Sequence, residues 1–249
     1  MKKNNLYGLI GKNIGYSLSP FIFQNIFQVE KCDCRYELFD ETDPGKWLKN
    51  LKNLPYLKGF NVTIPYKQFF AEKIKDTDHA VQLTGTVNTI VITSPFHLKG
   101  FNTDLPGFEK AIREFTGNDK MQALVLGNGA TASTVKHALN KLQIPAQTVS
   151  RKKTKSILTY DELNEKIIAS HRLIINTTPL GSAQFPGQKP NIPYEAISRN
   201  HYLFDVIYSP PLTPFLIEGL KRSARVENGL KMLVYQAWEA WKIWKKYIK

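Results

Sequence analysis

Met121-Gln122-Ala123-Leu124-Val125-Leu126 runs directly into Gly127-Asn128-Gly129-Ala130-Thr131-Ala132, and a helical stretch from Ser133 to Leu142 follows. An apolar strand, a glycine turn and a helix in that order commit this part of the chain to a dinucleotide-binding βαβ unit. Gly127 permits the tight turn, and Gly129 lets the backbone approach a pyrophosphate. Ala132, in the place of a third glycine, allows close helix packing. The amides at the helix N-terminus then hold the anion, with Asn128, Ala130 and Thr131 completing the turn.

The next strand, Ala146 to Val149, ends in Ser150-Arg151-Lys152. An NAD-binding unit usually places a carboxylate there for the ribose hydroxyls, and this chain has none. Arg151 can stack on adenine and pair with a 2′-phosphate, Lys152 adds a point charge, and Lys155 can join the clamp, so NADP is expected over NAD. Lys153 reads as facing water. A third strand, Arg172 to Asn176, ends in Thr177-Thr178-Pro179-Leu180-Gly181. A fourth, Tyr202 to Tyr208, ends in Ser209-Pro210-Pro211. Thr213 is expected to cap a helix over Pro214 to Lys221. From Gly229 to Tyr247, Leu230, Leu233, Val234, Ala237, Trp238, Trp241 and Trp244 recur at helical spacing and read as packing, with Gln236 beside that stripe.

The first hundred residues repeat the strand-and-helix alternation, which predicts a second α/β unit from Leu6 to about Thr103 and a cleft formed with the first. Phe60, Val62 and Ile64 alternate with Asn61 and Thr63 between Gly59 and Pro65, giving a strand that delivers Thr63 and Lys67 to its carboxyl end. Ligands of α/β folds bind at such ends. Considered alone, Lys67 reads as well as a solvated surface charge. Ser17 and Ser19, ahead of a helix beginning near Phe21, suit a carboxylate, although capping explains one of them equally well. Gly85-Thr86-Val87-Asn88-Thr89 opens another strand. Asn102-Thr103-Asp104 precedes a helix from Leu105 to Phe115, with Asp104 readable as its N-cap.

With 249 residues, 42% of them hydrophobic, the chain can bury a full core. Its formal net charge of +13 calls for an acidic partner, but many of the lysines lie at the ends or singly, the cluster Arg151-Lys152-Lys153-Thr154-Lys155 being the exception, without the aromatic interleaving of a nucleic-acid stripe. Small anionic ligands fit better than nucleic acid or a membrane. No apolar run approaches the ~18 residues of a bilayer span, and the start lacks a signal-peptide core, so a cytoplasmic location is expected. Cys32 and Cys34 are expected to be reduced and to complete no metal site.

Taken in order, Ser17-x-Ser19-Pro20, Asn61-Val62-Thr63-x-Pro65-x-Lys67, Gly85-x-Val87-Asn88-Thr89, Asn102-Thr103-Asp104, Asn176-x-Thr178, Asp205-x-x-Tyr208-x-Pro210-x-x-Thr213-Pro214 and Gly229-x-x-Met232-Leu233-x-x-Gln236-Ala237 resemble the shikimate dehydrogenase family. The resemblance covers nearly the whole chain. It implies a substrate domain over residues 1–103 completed by residues 230–249, and a Rossmann NADP-binding domain over residues 104–229. It also implies reversible reduction of 3-dehydroshikimate to shikimate with NADPH in aromatic amino acid biosynthesis. Lys67 and Asp104 become its catalytic pair. Ser17 and Ser19 bind the substrate carboxylate, Thr63, Asn88 and Gln236 its hydroxyls, and Tyr208 lines the pocket. The nicotinamide is expected near Val206 and Gly229, in a monomer or homodimer. A quinate-accepting relative with NAD tolerance and a catalytically silent sensor are the alternatives. Leu18 stands where some members carry lysine, Ser150 where asparagine is common, and His79 where an acidic residue is expected.

Overall fold

The computed structural model describes residues 5–94, 97–117, 119–154 and 156–247. The chain divides into two compact units, one of Met1–Gly107 with Val234–Lys249 and the other of Phe108–Leu233. The α/β class expected from the sequence is the class observed.

The first unit alternates β1 (Asn5–Gly11), α1 (Ser19–Val29), β2 (Cys34–Asp40), α2 (Pro44–Lys49), β3 (Leu57–Val62), α3 (Lys67–Lys73), β4 (Asp76–Thr77), α4 (His79–Thr84), β5 (Thr89–Ser94) and β6 (His97–Phe101), and then enters α5 (Asp104–Thr116). Among the described residues its sheet has the order β2-β1-β3-β5-β6-β4. β1 is parallel to both β2 and β3, whereas β5 runs antiparallel to β3 and to β6. β3 stops at Val62, two residues short of the alternation in the sequence, and Ile64 is exposed. The turn beyond it is held because Thr63 N donates to Ile10 O and Tyr66 N to Thr63 O, both at 2.9 Å. Cys32 and Cys34, expected to be reduced, lie next to one another with their Cα atoms 5.3 Å apart.

The second unit holds β7 (Ala123–Leu126), α6 (Ala130–Lys141), β8 (Ala146–Ser150), β9 (Ile157–Thr159), α7 (Glu165–Ser170), β10 (Leu173–Asn176), β11 (Tyr202–Asp205), α8 (Pro214–Lys221) and β12 (Arg225–Glu227), and leads into α9 (Leu230–Lys245). Among the described residues the sheet order is β12-β11-β10-β7-β8-β9, with every pairing parallel. β7, β10 and β11 are buried at every position, as strands covered on both faces must be. Thr213 caps α8 by accepting from Leu216 N.

Residues of α9 from Val234 onward belong to the first unit. Trp241 and Trp244 are buried among Tyr7, Phe23 and Phe27, and Trp244 Nε1 donates to Ile90 O at 2.9 Å. Gly59 makes that approach possible: a Cβ there would lie 2.4 Å from Trp244 Nε1. The aromatic stripe is therefore packing, as its spacing suggested.

Candidate functional site

Three chain segments meet at one edge of the first sheet. Val62 N donates to Asn88 O and Asn88 N to Phe101 O, so the end of β3, the start of β5 and the end of β6 lie side by side. Each is followed or preceded at once by polar side chains, and the antiparallel course of β5 is what brings Asn88 to the edge where Lys67 and Asp104 emerge.

Lys67 is the first residue of α3, and its backbone carbonyl accepts from Val87 N at 3.1 Å. Its Nζ donates to Asp104 Oδ2 at 2.5 Å, with the two side chains only 16% and 12% exposed. Asp104 is not the cap of its helix. Asn102 takes that role, its Oδ1 accepting from Leu105 N at 3.0 Å while its amide donates to Thr84 Oγ1 and Thr86 Oγ1. The Asp104 carboxylate, released from capping, is free to turn to Lys67.

Next to this pair lies a buried amide network. Asn88 Oδ1 accepts from Thr103 N at 2.7 Å, and Asn88 Nδ2 donates to Thr103 Oγ1 at 3.0 Å and to Gln236 Oε1 at 3.4 Å. Gln236 comes from α9, where the lack of a side chain at Gly107 leaves room: a Cβ on Gly107 would sit 2.9 Å from the Gln236 backbone nitrogen. Ser19 is buried and Ser17 half-buried, and Ser17 Oγ accepts from Ser19 N at 3.2 Å. The Ser19 hydroxyl bonds Tyr36, whose own hydroxyl donates to Asn61 Oδ1 at 2.8 Å. Burial pushes the Tyr36 phenol well above its ordinary range, so it stays a neutral donor. Thr63 is half-buried, its methyl against Gly11. Tyr36, Asn61, Thr103 and Asn102 were given no role from the sequence; Asn61, Asn102 and Thr103 stand close to Thr63 and Asp104 in the chain, and Tyr36 carries no such signal.

In the second unit, Gly127 takes φ +115°, and a Cβ there would meet Thr177 Oγ1 at 2.5 Å. Gly129 is the N-cap of α6 and supplies no side-chain acceptor; around it the space is open. The first turn of this twelve-residue helix thus has no side-chain cap from its N-cap residue, Asn128 and Thr131 flank it, and Ala130 begins the helix. Ala132 is fully buried, as close packing requires. At the end of β8, Ser150 Oγ donates to Lys152 O and accepts from Lys152 N, shaping a small turn that exposes Arg151 and Lys152. Lys153, read as facing water, is paired with Glu162, which drives that carboxyl down to about 2, first through the Lys153 hydrogen bond. Lys155 lies outside the described residues.

Val206 and Gly229 touch: a Cβ on Gly229 would fall 2.1 Å from Val206 O, and Gly229 N donates to Ile207 O at 3.1 Å. Tyr208 is half-buried on the same loop. Its anchor is Asp205, which accepts from Ile207 N, Asn176 Nδ2 and Thr213 Oγ1. Among the described residues no cluster of histidine, cysteine or carboxylate side chains could hold a metal ion, and no helix is long and apolar enough to cross a membrane.

Residues 9–90 match the family model for the shikimate dehydrogenase substrate binding domain. A shikimate dehydrogenase (NADP(+)) of Clostridium botulinum (strain Loch Maree / Type A3) is 35% identical over 243 residues, 93% of each chain. One of Ignicoccus hospitalis is 33% identical across 94% of this chain and 90% of its own. Among solved structures, a shikimate dehydrogenase from Aquifex aeolicus superposes with a TM-score of 0.87 at 28% identity, covering 99% of this chain and 94% of that one. A shikimate 5-dehydrogenase from Thermus thermophilus, solved in complex with NADP(H) and shikimate, gives 0.86 at 26% identity over 97% and 94%.

Proposed function

Because this chain belongs to the shikimate dehydrogenase family, we infer that it catalyses the reversible, NADP-linked reduction of 3-dehydroshikimate to shikimate, a step of aromatic amino acid biosynthesis. The observation that carries the reading is the Lys67–Asp104 pair at a sheet edge already lined by buried amides and hydroxyls.

The residues of the second unit suit NADP: an uncapped helix N-terminus behind an open Gly129, then exposed Arg151 and Lys152 with no carboxylate at the end of β8. Gly127, Asn128, Gly129, Ala130 and Thr131 would hold the pyrophosphate, with Ser150, Arg151, Lys152 and Lys155 at the 2′-phosphate and Val206 and Gly229 at the nicotinamide. When bound, the reduced cofactor supplies the hydride.

Reduction of a ketone leaves charge on its oxygen. An ammonium carries three protons, and the bond to Asp104 uses one, so Lys67 keeps two for that oxygen and gives one up as the hydroxyl forms. In the reverse direction Lys67 takes the hydroxyl proton. Asp104 fixes the Lys67 side chain and has a further acceptor oxygen for a neighbouring substrate hydroxyl. Ser17 and Ser19 would receive the carboxylate. Asn88, Gln236 and Thr63 would read the ring hydroxyls, and their mutual bonds hold the two amides in one orientation before substrate arrives. Tyr208 would line the pocket.

Such an enzyme works with small diffusible reactants and belongs in the cytoplasm, as a monomer or homodimer. Steady-state rates with shikimate and quinate, each with NADP and NAD, test the reading. Shikimate with NADP is expected to give the highest kcat/KM; a preference for quinate with NAD overturns it.

A further inference from the structure

We propose that Asp205 is the positioning residue of the cofactor side: its carboxylate holds the Val206–Tyr208 segment, and through it the Gly229 turn, in the backbone arrangement that receives NADP(H). The proposal rests on the activity inferred above.

Asp205 is the last residue of β11 and has no solvent exposure. It gathers donors from three segments. Ile207 N reaches Oδ1 at 3.0 Å, while Asn176 Nδ2, at the end of β10, and Thr213 Oγ1, the cap of α8, reach Oδ2 at 3.1 Å and 2.7 Å. The first of these bends the chain just beyond the strand, since an aspartate oxygen bonded to the amide two residues on forms a closed turn. Asn176 extends the network: its Oδ1 accepts from Thr178 N at 3.0 Å and Thr178 Oγ1 at 2.7 Å, tying in the loop after β10. On the other side, Ile207 O accepts from Gly229 N, and Val206 O occupies the space that a side chain on Gly229 would need. Moving residues 205–207 therefore moves the Gly229 turn with them.

A carboxylate suits this position and an amide does not. An ionised carboxylate is acceptor-only and can serve all three donors, whereas an asparagine amide would face the Asn176 amide and the Thr213 hydroxyl with protons of its own. The arrangement carries a stability cost. Burial raises the Asp205 carboxyl to about 6 despite the three hydrogen bonds. The Tyr194 phenol, near enough to feel the Asp205 charge, donates to Pro190 O and is raised chiefly by burial, with Glu218 and Tyr160 also raising it and Arg222 lowering it; Lys189 pairs with Glu218. A stable core alone would be better served by a neutral side chain at 205.

The experiment compares the full-length protein with its Asp205→Asn and Thr213→Val variants. NADPH binding is followed by quenching of tryptophan fluorescence, and KM and kcat are measured from about pH 5 to about pH 8. Asp205→Asn should weaken NADPH binding about ten- to a hundredfold, the scale of a lost charge-assisted hydrogen bond. The KM for shikimate should stay within about twofold and the melting temperature near neutral pH should not fall. The parent should lose NADPH affinity below about pH 6 and converge on the variant. The cofactor phosphate titrates in both proteins, so only their difference reports Asp205. Thr213→Val, which removes one donor and keeps the carboxylate, should weaken binding less and preserve the pH dependence. Unchanged NADPH binding in Asp205→Asn, equal losses for both ligands, or weakened binding that tracks a fall in melting temperature overturns the proposal. A parent that shows no NADP-linked activity with shikimate refutes the functional reading instead, and the binding comparison still judges Asp205.

Discussion

Lys67 Nζ lies 2.5 Å from Asp104 Oδ2, across a sequence separation of 37 residues, with both side chains almost withdrawn from solvent. The pair forms because one residue opens the helix after β3 and the other opens the helix after β6, and β5 draws those two strand ends together. Lys67→Ala should lower kcat by a factor on the order of 10² to 10⁴ with little change in the KM for shikimate, as for loss of a general acid/base. Asp104→Asn should lower kcat less and raise that KM, because it loosens Lys67 and weakens one substrate contact. Turnover near normal in Lys67→Ala would make the lysine a structural partner of Asp104 and nothing more.

Arg151 is exposed at the end of β8 on a turn shaped by Ser150. Replacing it with alanine should raise the KM for NADPH about tenfold, the scale of one charge-assisted contact, and leave that for NADH within about twofold. Parallel initial-rate series with the two cofactors decide this. Equal effects on both would show that Arg151 acts on something other than the 2′-phosphate.

Gly229→Ala places a methyl 2.1 Å from the Val206 carbonyl oxygen, closer than bonded structure tolerates without backbone movement. Overpacking of this kind costs on the order of 1–3 kcal/mol, read as a lower denaturant midpoint. NADPH affinity should fall as well. A variant as stable as the parent and unchanged in NADPH affinity would mean that this loop yields without consequence.

The pH dependence of stability carries the signature of Asp205. Its carboxyl is raised from 3.8 to about 6 in the folded protein, mainly by burial. Below the lower value both states hold the proton. Between the two values the folded state keeps it while the unfolded state releases it, so stability contributed by this group is lost as pH rises from about 4 to about 6. The gap corresponds to about 3 kcal/mol. Urea melts at several pH values should show the parent losing ground to Asp205→Asn across that window. Parallel curves for the two proteins would place the Asp205 carboxyl at its ordinary value.

Local chemistry made much of this legible in advance. Pro65 and the alternation before it set the end of β3 to within two residues, Thr213-Pro214 marked the start of α8, and the glycine turn lies where α6 begins. What local sequence could not resolve was the division of labour within Asn102-Thr103-Asp104. Asparagine and aspartate cap helices equally well, and only the position of Lys67 decides that Asn102 caps while Asp104 turns away. Contacts such as Asn88–Gln236, 148 residues apart, leave no periodic trace in either segment. Lys153 does face water, and what the sequence did not show is its surface partner Glu162, nine residues on and beyond a short strand.

The bond from Trp244 Nε1 to Ile90 O spans 154 residues, so the first unit to be synthesised is among the last to be completed. While the ribosome is still reading the middle of the gene, Tyr7, Phe23 and Gly59 await an aromatic cover that does not yet exist, and the Asn88 amide awaits Gln236. The all-parallel second unit, continuous in sequence from Phe108 to Leu233, can finish folding beforehand. Loss of the final helix from Val234 onward, from a nonsense codon or a clipped terminus, would thus spare the nucleotide-binding half while exposing the hydrophobic interior of the half that carries Lys67. Catalytic competence in this chain is conferred by its last few turns of helix.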